Sequence, residues 1–364
     1  MRIAFYGSSL LSSYWNGAAT YYRGLLRDLA QRGYDVTFYE PDALGRQQHR
    51  DMEPPEWARV VVYDANEDAL RRVMARAAEA DVVVKTSGVG VFDDALIDGV
   101  MRAARPDAIR IFWDVDAPAT LVEIADDAQH PLRRALPRLD HVLTYGGGPP
   151  VVAAYEGLGA QRCTPIYNAL DPQTHHPVPR DRRFAADLGF LGNRLPDRET
   201  RVEAFFLDAA WRLPGRDFLI GGSGWGDKHM PPNIRQLGHV YTRDHNAFNA
   251  SPLAVLNIAR ESMASTGWSP ATRVFEACGA GACLITDAWT GLGMFLKDGE
   301  EVLSARDGQD VAEQLAALTP MRARAIGAAG RRRILAEHTY TLRGAEVDAL
   351  LRQSAGRKQE ASAA

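Results

Sequence analysis

Short apolar strands alternate with helical segments along this chain; the alternation stops once and then starts again. Strand-like runs fall at residues 3–6, 35–39, 59–63, 81–85, 108–113 and 141–145. Between the first two, Tyr22, Leu25, Leu26, Leu29 and Ala30 recur at helical spacing, and Gly33 is a good stop. Further helical patterns lie at 67–80 and 93–104. Strands that alternate with helices predict a parallel sheet covered on both faces. Residues 171–186 break the rhythm: the polar, Pro-rich run from Asp171 to Pro179 reads as a linker. Strands then resume at 187–191, 217–220, 253–258 and 283–286, with helices at 198–213, 271–278, 308–317, 320–337 and 338–352. The expected architecture is α/β, two tandem doubly wound Rossmann-like domains at 1–170 and 187–340. A linker at 171–186 joins them, and a C-terminal helix and tail at 341–364 is expected to fray at its end. Ligands of such sheets bind beyond the carboxyl ends of the strands.

Composition narrows the function classes. A chain of 364 residues suits two cores, and 46% hydrophobic with 24% charged residues is globular. A net charge of −4 with no basic block argues against nucleic acid as a partner. Cys163, Cys278 and Cys283 form neither a disulfide framework nor a zinc-ligand pattern, which suits a reducing compartment; Cys278 and Cys283, flanking a predicted turn, read as buried small residues. No apolar stretch reaches the roughly 20 residues needed to span a bilayer. The first strand begins at once, without a signal-peptide pattern, so a cytoplasmic location is expected.

The segment from Trp268 to Asp287 carries the most chemistry. It reads as a loop, a helix capped by Ser269 or Thr272, a turn at Cys278-Gly279-Ala280-Gly281-Ala282, and a buried strand. A helix N-terminus suits a phosphate, Arg273 offers a fork of donors for a diphosphate, and Glu276 one turn on suits the two hydroxyls of a ribose. Other two-domain α/β proteins fit less well. Gly7-Ser8-Ser9-Leu10-Leu11-Ser12 lacks the glycines of a dinucleotide fingerprint, and no Walker A sequence or Gly-x-Ser-x-Gly elbow is present.

The run from Trp15 to Phe38 resembles the opening loop, helix and second strand of GT-B glycosyltransferases. A sharper resemblance, covering nearly the whole chain, is to enzymes like the spore maturation protein CgeB. It rests on Lys85-Thr86-Ser87-Gly88-Val89-Gly90, Phe112-Trp113-Asp114-Val115-Asp116-Ala117-Pro118, Gly189-Phe190-Leu191-Gly192-Asn193 with Pro196-Asp197-Arg198, Leu256-Asn257-Ile258-Ala259-Arg260, and Ser269-Pro270 with Arg273-Val274-Phe275-Glu276-Ala277.

The resemblance implies two domains facing across a cleft, with a nucleotide-diphosphate sugar in the C-terminal one and an acceptor in the other. It implies a hexosyltransferase-type activity with no cofactor beyond the donor and no metal, the diphosphate being stabilised by basic residues and helix N–H groups. Glu276 matches the ribose-binding Glu of the superfamily's E-x7-E motif; the first Glu of that motif falls on Trp268, so sugar recognition differs, with Trp268 either stacking on the sugar or only packing the loop. Arg198, Arg260 and Arg273 are candidate diphosphate or cleft residues, with Gly192 and Asn193 in a phosphate-approaching turn. Gly238-His239-Val240 falls where the base-binding loop runs, and Asn257, Ser269 and Thr272 complete the donor set. Asp114 and Asp116 follow a strand end and are the candidate bases for an acceptor hydroxyl, neither being preferred decisively. Trp15, Asn16, Gly17 and Lys85 are candidate acceptor-side residues. His175 and His176 are expected to be solvated in the linker. Two other readings stand beside this one: epimerisation or hydrolysis of a nucleotide sugar on the same fold, and a non-catalytic nucleotide- or carbohydrate-binding protein. The base, sugar, acceptor and stereochemistry are left open.

Overall fold

Seven parallel strands form the first of two sheets in the computed structural model, which describes residues 1–14 and 16–363. The strands are β1 (Arg2–Tyr6), β2 (Asp35–Asp42), β3 (Arg59–Asp64), β4 (Val82–Thr86), β5 (Ile109–Asp114), β6 (His141–Thr144) and β7 (Cys163–Pro165), in the order β3-β2-β1-β4-β5-β6-β7. Side-chain alternation builds a core on each face. Ala4, Tyr6, Val83 and Phe112 join Leu70, Val73, Leu96, Val100 and Tyr155 from helices of one layer. Their neighbours Ile3, Phe5, Val82, Val84, Ile111 and Trp113 pack against Leu26, Leu29, Val347 and Leu351 from the other.

The second sheet contains β8 (Leu188–Leu191), β9 (Phe218–Gly221), β10 (Ile234–Gln236), β11 (Ala254–Asn257), β12 (Leu284–Asp287) and β13 (Leu303–Ala305), in the order β10-β9-β8-β11-β12-β13. Every pairing in both sheets is parallel. Phe190, Phe218, Ile220, Leu256 and Ile285 meet Val202, Phe206, Val311 and Ile326 on one face, while Leu219 packs with Phe184, Val240 and Phe248 on the other. Both sheets reverse direction once, beside β1/β4 and β8/β11. Doubly wound sheets hold ligands at such a reversal, outside the carboxyl ends.

The chain divides into one unit of residues 1–167 with 340–364 and another of residues 168–339. Two expectations need correcting. Residues 171–186, read as a linker, fold as part of the second unit: Asp171 and His175 are buried, and Leu170 N donates to His338 O at 2.8 Å. The C-terminal stretch, read as a separate helix and tail, forms the helix Tyr340–Ala363, which belongs to the first unit. Tyr34 donates to Asp348 at 2.6 Å, and His141 Nε2 lies 2.8 Å from Ser354 Oγ. Gly24 makes room for the Tyr340 ring: a Cβ there would stand 2.2 Å from it.

Local differences are small. The helix expected over 67–80 is helical over Glu67–Ala75 and tightens to a 3₁₀ turn at Arg76–Glu79. The one expected over 198–213 carries a π turn at Glu203–Leu207, between Pro196–Val202 and Asp208–Arg212. The short strands β7, β10 and β13 had no sequence signal of their own. No described helix is long and apolar enough to cross a membrane.

Candidate functional site

In the second unit, the loops after β8, β9 and β10 are laced together by their backbones. Gly192 N donates to Gly221 O at 2.9 Å, Arg194 N to Ser223 O at 2.9 Å and Gly222 N to Gly238 O at 2.7 Å. Ser223 N donates to the Asn193 side chain at 2.9 Å, and Trp225 Nε1 to Gly192 O at 2.8 Å. Gly222 sits at φ +126°, and a Cβ there would stand 2.1 Å from Gly192 O, so only glycine allows this approach. Arg198 lies along the same loop: a Cβ on Gly192 would come within 2.8 Å of its guanidinium. His239 is exposed, and the buried Val240 lies against Gly221.

Val240 links this loop to the helix Thr272–Gly279. Its carbonyl lies 3.3 Å from Nε2 of His245, at the start of the helix His245–Ala250. His245 in turn belongs to a cluster with Arg273, Glu276 and His175. Glu276 is buried, with its Oε2 3.0 Å from Arg273 and its Oε1 3.7 Å from His175 Nε2. Burial alone raises the pKa of Glu276, but Arg273, with help from the two histidines, outweighs it and holds the carboxyl below its usual range. Burial and Arg273 push the His245 imidazole down to about 4. Nε of Arg273 is buried without a hydrogen-bond partner among the described residues. An ionised carboxylate and an incompletely satisfied guanidinium therefore share one turn of helix.

That helix begins after Ala271 with no side-chain cap, so neither Ser269 nor Thr272 caps it as expected. Thr272 is its first residue, while the buried Ser269 hydroxyl lies 3.3 Å from that of Thr266. Trp268 packs over Gly291, where a Cβ would stand 2.5 Å from the indole. Asn257 is spent within the sheet, donating to Thr286 at 3.0 Å. Arg260, just beyond β11, donates to Asp197 at 2.6 Å. Asp287 ends β12 in a buried bridge with Arg201 at 2.8 Å; burial raises its pKa, against the pull of Arg201.

In the first unit the expected acceptor-side residues are mostly internal ties. Asp114 is fully buried: Oδ1 accepts from Ser87 Oγ at 2.7 Å, Asp116 N at 2.9 Å and Thr120 Oγ1 at 3.1 Å, and Oδ2 accepts from Tyr155. Burial raises its pKa despite these bonds. With both oxygens engaged and no exposed surface, Asp114 organises the turn after β5 and is not placed to take a proton from an acceptor. Asp116, partly exposed, precedes the helix Ala117–Ala125. Lys85 does not wait for an anion: its ammonium is buried against Asp93 at 2.5 Å, and burial lowers its pKa. Asn16 is buried, donating to Ser9 O at 2.9 Å and Ser12 O at 3.0 Å, with Ser8 Oγ donating to it at 3.0 Å. Gly17 is exposed before the helix Ala18–Gln31, and Trp15 lies outside the described residues.

Comparison with known proteins bears on this arrangement. A protein family described as glycosyl transferase-like matches residues 198–349. No curated protein matches the sequence. Among solved structures, sucrose-phosphate synthase from Thermosynechococcus elongatus superposes with a TM-score of 0.69 at 15% identity, covering 97% of this chain and 98% of that one. Anabaena HepE, solved with UDP and glucose, gives 0.66 at 13% identity over 97% and 100%. AviGT4, a glycosyltransferase of avilamycin A biosynthesis, gives 0.60 at 15% identity over 98% of each chain. The fold is GT-B.

Within this GT-B chain, Gly192, Asn193, Arg198 and Val240 share the laced loops, and Val240 leads through His245 to Arg273 and Glu276. Asn257, Ser269 and Trp268 are engaged elsewhere. Sequence reasoning missed His245 and misread His175, which is 6% exposed and beside Glu276 instead of solvated. Neither has a local signal: His175, His245 and Glu276 come from three segments far apart in sequence, joined only by the fold.

Proposed function

We propose that this protein is a glycosyltransferase that binds a nucleotide-diphosphate sugar in its second unit and transfers the sugar to an acceptor held by the first. The observation that carries this reading is Glu276: a buried carboxylate held ionised beside Arg273, in the stretch that matches the glycosyl transferase-like family. An ionised carboxylate accepts from both hydroxyls of a ribose. Arg273, with Arg198 beside the Gly192 loop, supplies positive charge and donors for the diphosphate as it leaves. Stabilised in this way, the departing diphosphate needs no metal. The CgeB-like resemblance belongs to this proposal, as does the hexosyltransferase class. Asp116, partly exposed where Asp114 is sealed, is the better-placed carboxylate for an acceptor hydroxyl.

Titration calorimetry with UDP, GDP, dTDP and CDP tests the donor site. UDP is the first probe, because HepE was solved with UDP and with UDP-glucose. One diphosphate is expected to bind selectively and to keep binding in EDTA. Glu276→Ala should weaken it at least about tenfold, the loss of a charged hydrogen-bonding partner being worth about 1.5–3 kcal/mol. Binding of none of the four refutes the reading. Turnover of the matching nucleotide sugar without any acceptor would favour the hydrolase or epimerase alternative.

A further inference from the structure

His175, His245 and Glu276 each present a ligand atom, and the three atoms lie within 4.8 Å of one another. His175 Nε2 and Glu276 Oε1 are 3.7 Å apart. That is too long for a hydrogen bond. It is near the separation of roughly 3.4 Å between two ligands of one tetrahedral ion with bonds of about 2.0–2.1 Å.

Each member is also oriented by a second partner. His175 Nδ1 lies 2.9 Å from Thr174 Oγ1, His245 Nε2 lies 3.3 Å from Val240 O, and Glu276 Oε2 lies 3.0 Å from Arg273. Metal-binding imidazoles are characteristically fixed this way through the nitrogen that does not bind, and ligating carboxylates are hydrogen-bonded in turn. His175 therefore has Nδ1 engaged and Nε2 turned towards Glu276.

We propose that His175, His245 and Glu276 form a binding site for one divalent cation of the zinc class, with two imidazoles, one carboxylate and an open fourth position. Cys278 and Cys283 lie outside this cluster. Arg273 opposes a cation at this distance and keeps the site weaker than a closed structural one. One consequence rests on the donor reading above: Glu276 cannot serve a ribose and a cation together. The cation is then an antagonist of nucleotide binding and not a cofactor.

The test uses the full chain, stripped with a chelator and titrated with ZnCl2 by calorimetry, with Co²⁺ absorption reporting coordination geometry. One ion per chain is expected. His175→Ala and His245→Ala should each weaken binding by about tenfold or more, and His175→Gln serves as a same-size control with its fold checked by circular dichroism. No stoichiometric zinc, or equal affinity in the histidine variants, overturns the site. UDP is then titrated into zinc-free and zinc-loaded protein. Zinc that weakens UDP binding about tenfold supports the shared carboxylate, and simultaneous, independent binding overturns it. Histidine-dependent zinc binding in a protein that binds none of the four diphosphates leaves the cation site standing and removes the donor reading alone.

Discussion

Asp114 and Asp116 stand two residues apart, yet their surroundings give them different work. Four donors converge on Asp114, so Asp114→Ala strands two hydroxyls, a phenol and a backbone N–H inside the first unit. The expected loss is about 3 kcal/mol in urea denaturation; unchanged stability would return Asp114 to the list of bases. His245 gives a second residue-level prediction. Its imidazole stays neutral in the folded chain to about pH 4, whereas in the unfolded chain it protonates near 6.5. The unfolded state binds more protons between those values, so stability falls as pH drops from 6.5 towards 4. The melting temperature of His245→Gln should fall less over that window than that of the unaltered protein. At this scale the sequence was legible where chemistry is local: Arg273 and Glu276 sit one turn apart on a helix and do pair. It was illegible where partners are distant. Nothing in the letters around Asp114 announces Tyr155, and nothing around Glu276 announces His175 or His245.

Loops after consecutive strands of the second sheet hold one another through glycines, and the tightest approach is at Gly222. Gly222→Ala would place a Cβ against Gly192 O in a backbone conformation that side chains avoid. The loops should separate, with a loss of about 1–3 kcal/mol in denaturation and at least tenfold weaker nucleotide binding. The long strands were readable from their apolar runs, because a strand buried on both faces has little else in it. The strands Cys163–Pro165, Ile234–Gln236 and Leu303–Ala305 were not: three residues carry no period, and sheet edges do not demand apolar character. The Pro-rich stretch at 171–179 misled for a related reason. Its composition matches a linker, but the segment is pinned to the second unit at the buried Asp171 and His175.

The chain makes its first unit in two pieces. Residues 1–167 supply the sheet, and the helix Tyr340–Ala363 returns to cover the face built by Ile3, Phe5, Val82, Val84, Ile111 and Trp113. Deleting residues 340–364 should therefore damage the first unit far more than the second. Hydrogen exchange should show protection lost in β1, β4 and β5 and kept in β8, β11 and β12; equal loss in both would contradict the division. The same return sets an order of events during synthesis. The second unit is complete once residue 339 has left the ribosome, whereas the first, although begun earlier, lacks its cover until residues 340–363 follow. At about 5–20 residues per second, translating the second unit takes on the order of ten to thirty seconds. For that interval an apolar sheet face waits without its covering helix, so the nascent chain exposes more apolar surface than the folded protein does.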